Sequence, residues 1–65
     1  MITRGVEAVR VLESLESGPK LLSDVIEDTG LPYQDVVNIL RGLSRKGLVE
    51  RAKGGFYYLN GGRRA

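Results

Sequence analysis

The chain has 65 residues, 42% hydrophobic and 28% charged, which suits one small folded domain and excludes a disordered tail or a second domain of ordinary size. It contains no Cys and no His. That excludes disulfide staples, thiolate or imidazole metal sites and the commonest general base.

A domain of this size buries only about 60% of its unfolded surface. Good helix packing or a partner chain must therefore hold it. No run of about 18 apolar residues is present to span a membrane, and Met1-Ile2-Thr3-Arg4-Gly5 lacks the apolar stretch of a secretory signal. The expected location is the cytoplasm.

The formal charge of +2 is unevenly spread. Over residues 1–36, Arg4, Arg10 and Lys20 stand against Glu7, Glu13, Glu16, Asp24, Glu27, Asp28 and Asp35, a net of −4. Over residues 37–65, Arg41, Arg45, Lys46, Arg51, Lys53, Arg63 and Arg64 stand against Glu50 alone, a net of +6. An acidic half followed by a basic half points to one surface that meets a polyanion.

The first helix is expected over residues 4–16. Val6, Val9, Leu12 and Leu15 recur every third position, Ala8 and Val11 widen the stripe, and Thr3 can cap the start. Gly18-Pro19 stops it, and Lys20-Leu21 reads as a short extended link. The second helix covers about residues 22–29, with Leu22, Val25 and Ile26 on one face. Its cap is open between Ser23, good by type, and Leu21, poor by type but better for the apolar face. Gly30 and Pro32 then form the turn.

The third helix covers about residues 33–46. Val36, Ile39, Leu40 and Leu43 form its buried stripe, and Tyr33, Gln34, Val37, Asn38, Arg41 and Arg45 its other face. Lys46-Gly47 closes it. Two strands follow, Leu48 to Lys53 and Phe56 to Asn60, joined by Gly54-Gly55, a pair that favours a tight two-residue hairpin. By alternation Tyr57 and Leu59 face the core and Phe56 and Tyr58 face out, where Val49 and Ile2 could join them. Residues 61–65 read as a flexible basic tail after a domain over residues 1–60.

The order helix, link, helix, tight turn, helix, hairpin is that of a mostly α winged helix-turn-helix, three helices plus a two-stranded wing. The run Leu22-Ser23-Asp24-Val25-Ile26-Glu27-Asp28-Thr29-Gly30-Leu31-Pro32 resembles the first motif helix and turn of winged helix-turn-helix regulators. The run from Val36 to Arg51, through Lys46-Gly47-Leu48-Val49-Glu50-Arg51, resembles their recognition helix entering the first wing strand. The likeness is to the DNA-binding domains of IclR-type and MarR-type repressors, over about residues 6–60.

The resemblance implies a recognition helix in the major groove and a wing on the backbone or minor groove. Carried over by position, the groove-facing residues are Tyr33, Gln34, Val37, Asn38 and Arg41. Their chemistry is compatible. Gln34 and Asn38 can pair with adenine, Arg41 can grip guanine or phosphate, and Val37 can touch a thymine methyl. Arg45, Lys53 and the tail's Arg63 and Arg64 suit phosphates. Asp35 departs from the Ser or Thr that the resemblance leads one to expect early in this helix, and suits the helix dipole instead.

Surplus apolar surface points to a homodimer, through helix 1 (Val6, Val11, Leu15) or the outer wing face (Phe56, Tyr58). No catalytic residue, metal or cofactor is expected; Asp24, Glu27 and Asp28 read as a solvated helix face. IclR-type proteins carry a separate effector domain, so no small-molecule effector is expected within these residues. The expected function is sequence-selective binding of double-stranded DNA by a small transcription regulator, a repressor by the resemblance. The alternative is a winged helix used for protein contact in a transcription, replication or partition assembly.

Overall fold

The computed structural model describes residues 4–60, without the side chain of Arg4. The expectations for Ile2, Thr3 and the basic tail with Arg63 and Arg64 lie outside the described residues.

Helix α1 spans Arg4–Leu15, α2 Leu22–Thr29 and α3 Tyr33–Arg45. Strand β1 is Lys20–Leu21, β2 Val49–Arg51 and β3 Phe56–Leu59. The strands form one antiparallel sheet in the order β1-β3-β2. The expected link at Lys20-Leu21 is thus a strand: Lys20 faces Tyr57 and Leu21 faces Phe56. Two residues carry no readable periodicity, so only the partner strand reveals them. The sheet has three strands where the sequence pointed to two.

The helix ends follow from local chemistry. Helix α2 begins at Leu22 with Leu21 as its N-cap and no side-chain cap, so Ser23 lies inside the first turn. Its far end is Gly30 at φ 71°, ψ 13°, whose N–H donates to the Ile26 carbonyl at 2.9 Å. Helix α3 ends one residue earlier than expected, in a Schellman arrangement with Gly47 at φ 80°. The Leu48 N–H donates to the Leu43 carbonyl at 3.0 Å and the Gly47 N–H to the Ser44 carbonyl at 3.0 Å.

The core is Val11, Leu15, Val25, Val36, Leu40, Leu43 and Val49, with Leu12, Leu22, Ile26, Leu31, Ile39, Tyr57 and Leu59 packed around it. Each helix contributes through its three-and-four spacing, and the sheet closes one side with alternate residues. Val49 is a correction. It lies opposite Leu59 in the register and is fully buried, so it belongs to the inner face and not with Phe56 and Tyr58.

The hairpin loop is a second correction. Arg51 faces Tyr57, and the Ala52 N–H donates to the Phe56 carbonyl at 2.6 Å, so the loop is Lys53-Gly54-Gly55, three residues long. The Gly55 N–H donates to the Ala52 carbonyl at 3.1 Å, with Gly54 at φ 87°, ψ 0° in the position where a type II turn requires positive φ. Because β1 already covers Phe56 and Tyr57, only residues 52–55 project beyond the sheet. The wing is a stub.

Candidate nucleic-acid interface

The turn between α2 and α3 is held from within. Thr29 is buried, and its hydroxyl donates to the Val25 carbonyl at 2.8 Å while accepting the Leu31 N–H at 3.3 Å. Pro32, at φ −61°, ψ 150°, then serves as the N-cap of α3, and its carbonyl accepts the Val36 N–H at 3.0 Å. Proline has the φ that a helix start needs and no N–H to leave unpaired. One buried hydroxyl, one left-handed glycine and one proline therefore set the angle between the two helices.

With Val36, Leu40 and Leu43 buried, the opposite face of α3 is turned to solvent. Tyr33 opens it at 60% exposure, and Gln34, Asn38, Arg41 and Arg45 are exposed along it, with Val37 half-buried among them. At about 3.6 residues per turn, Arg41 falls near the middle of that face. The Gln34 side-chain amide donates to the Asn38 amide oxygen at 3.3 Å. The Asn38 oxygen keeps a second lone pair and its amide nitrogen stays free, so the contact orients the amide without closing it to a base edge. Asp35 is half-buried in the first turn. Lys53 is exposed in the wing loop, on a separate element from this helix face.

Arg51 was missed by the sequence reading as a surface contributor. It pairs with Tyr57, an inner-face residue, yet is exposed, and with Tyr33 it lines a crevice of about 450 Å³ between the wing and the starts of α2 and α3. The signal was alternation from Val49, once Val49 is set on the inner face.

Other charged groups serve the domain itself. Lys20 and Asp28 form an ion pair, and the Ser14 hydroxyl donates to the same Asp28 oxygen at 3.0 Å, joining α1, β1 and α2. The Lys20 hydrogen bond, helped by that from Ser14, holds the Asp28 carboxyl below its usual range. On the outer sheet face the Tyr58 hydroxyl donates to Glu50 at 3.3 Å, and the nearby Glu50 charge pushes the Tyr58 phenol up.

The candidate dimer residues divide. Val11 and Leu15 are fully or almost fully buried in the domain's own core, because the C-terminal half of α1 packs on α2 and α3; neither can meet a second copy. Val6 stays open at 60% exposure, and Val9 at 50% joins it. Phe56 is 40% exposed, while Tyr58 is half-buried and tied to Glu50.

Three helices, a turn locked between α2 and α3, an outward-facing α3 and a hairpin sheet define a winged helix-turn-helix domain. Residues 7–60 match the model of the family described as sugar-specific transcriptional regulator TrmB, and the chain belongs to that family. It is thus a DNA-binding domain of the transcriptional-regulator kind; the general likeness to winged regulators stands, while the family matched is neither IclR nor MarR. No curated protein and no solved structure matches the chain significantly.

Proposed function

We infer that the chain reads duplex DNA in a sequence-selective way, with α3 in the major groove and the wing on the flanking backbone. The observation that carries this reading is the outer face of α3. Tyr33, Gln34, Asn38, Arg41 and Arg45 stand exposed on it while its inner face is buried. Base-pairing amides, a central guanidinium and a further base at the C-terminal end are what groove reading and phosphate anchoring require. The stubby wing favours backbone contact over minor-groove insertion, since only residues 52–55 project.

The family description speaks of sugars, whose recognition needs a dense set of hydrogen-bonding groups. The groove between α1 and α3 is lined mainly by Gly5, Ala8, Ile39, Gly42 and Leu43, with Asn38 and Lys46 as its polar side chains, and the crevice at the wing has an apolar floor under a few polar groups. The polar cleft between α1 and α2 holds the Lys20–Asp28 pair. The reading therefore places no small-molecule effector site within these residues.

A homodimer on a two-fold symmetric site follows from the modest contact one short helix offers and from the open Val6 and Val9. Repression, with the regulator cytoplasmic and bound to the nucleoid, is the accompanying expectation. Exposed Phe56 favours a second reading, a protein-contact module.

Selection of bound sequences from a random duplex pool, followed by binding across a salt series, tests the reading. A palindromic preferred site with a steep salt dependence is expected. No duplex binding at low salt would favour the protein-contact reading. Sedimentation at micromolar concentration tests the dimer; a monomer that selects one asymmetric half-site removes it.

A further inference from the structure

Three concavities on the described surface differ in charge. The cleft between α1 and α2 is balanced, with Arg10 and Lys20 against Glu13 and Asp28. The groove between α1 and α3 contains one base, Lys46. The crevice at the wing has one charged lining residue, Arg51, and no carboxylate. Its floor is apolar, from Leu22, Ile26 and the Tyr57 ring, and the polar groups of its lining residues are those of Arg51 from β2, Tyr33 from α3, Ser23 from α2 and the Tyr57 hydroxyl from β3.

Among the described residues none of these four side chains has a hydrogen-bonding or ion-pair partner in the protein. The ion pair there is Lys20–Asp28, and the side-chain hydrogen bonds lie elsewhere. Arg51 is exposed and its neighbour Glu50 points to the other sheet face, bonded to Tyr58. A cation and three hydroxyls, drawn from four elements and free of acids, fit an anion at their meeting point. The elements are those that must be held in register on a duplex: both motif helices and the wing.

We propose that this crevice seats one backbone phosphate of bound DNA, with Arg51 as its cationic contact. The proposal rests on the duplex-binding reading above. A guanidinium offers paired donors to phosphate oxygens, and tyrosine and serine hydroxyls are ordinary phosphate contacts. A phosphate contact carries no sequence information, so the effect is uniform across sequences.

The test compares wild type, Arg51→Gln, Arg51→Lys and Tyr33→Phe on the preferred duplex and on a scrambled duplex over a salt series. Helical circular dichroism and its thermal midpoint check folding, which the exposed Arg51 leaves intact. Arg51→Gln should weaken both duplexes by about tenfold and lower the log–log salt slope by about 0.9. Arg51→Lys should keep the slope and recover part of the affinity, and Tyr33→Phe should weaken both duplexes alike. A wild-type slope in Arg51→Gln, whatever its affinity, overturns the seat, as does a changed sequence preference. Failure of the wild type to bind any duplex at low salt overturns the DNA-binding reading, and the seat with it.

Discussion

The α2–turn–α3 unit and the wing, the two parts proposed to meet DNA, have unequal structural support. The turn is secured by a buried hydroxyl with two backbone partners, a left-handed glycine and a proline cap, over Val25, Val36 and Leu40. The wing has strands of three and four residues, and its anchors are Val49 and Leu59 on the inner face, with Asn60 donating its side-chain amide to the Gly47 carbonyl at 3.0 Å. The reading head is fixed by burial, the wing mainly by backbone pairing. A rigid head suits base recognition, where hydrogen-bond geometry discriminates; a short, lightly held wing suffices for phosphates, which tolerate rearrangement.

The largest effect that sharpens this comparison is expected in the core. Leu40→Ala should cost about 2–5 kcal/mol, enough to unfold much of so small a domain, whereas Phe56→Ala on the wing should cost about 1 kcal/mol or less. Urea unfolding of the two variants measures the contrast, and equal losses would break it.

Next comes the turn. Thr29→Val leaves the Leu31 N–H without its acceptor, for about 1–3 kcal/mol. Gly30→Ala meets nothing within 4 Å, so its cost is backbone strain at φ 71° alone, about 1–2 kcal/mol. Thermal melts should rank Thr29→Val at or above Gly30→Ala, and a neutral Gly30→Ala would show that the turn relaxes.

Binding variants separate head from wing more finely. Asn38→Ala should relax preference at one base position by about 1–3 kcal/mol of discrimination, with nonspecific affinity nearly intact. Lys53→Ala should weaken all sequences alike and flatten the salt slope by about 0.9. If Asn38→Ala and Arg41→Ala instead weaken every sequence equally, both residues touch only the backbone.

The smallest effect is at Asp28. Its folded carboxyl titrates below the unfolded one, so the stability it contributes is present above the ordinary carboxylate pKa of about 3.9 and is lost as pH falls through the folded value. Asp28→Asn should therefore lower stability slightly at neutral pH and flatten its decline in acid. Parallel acid-unfolding curves for the two proteins would show that the clasp contributes nothing.

Much of this was legible before any fold was known. The bounds of α2, the buried stripe of α3 and its polar opposite face follow from spacing and from Gly30, Pro32 and Gly47, because a helix's face and ends are local properties. So does the outward set Gln34, Asn38 and Arg41. The corrections within the sheet all needed a partner strand. Lys20-Leu21 is a strand only because β3 lies beside it, and Val49 is inward only because it faces Leu59.

The sequence by itself determined which polar residues α3 turns outward, through residue type and the 3.6-residue period. Tertiary structure alone decided what α1 shows to the outside. The same apolar stripe buries Val11 and Leu15 and leaves Val6 and Val9 open, since burial depends on where the neighbouring elements end. It alone decided that Arg51 faces the start of α3, because strand register is set by pairing across the sheet, and a shift of one residue would turn that side chain to the other face.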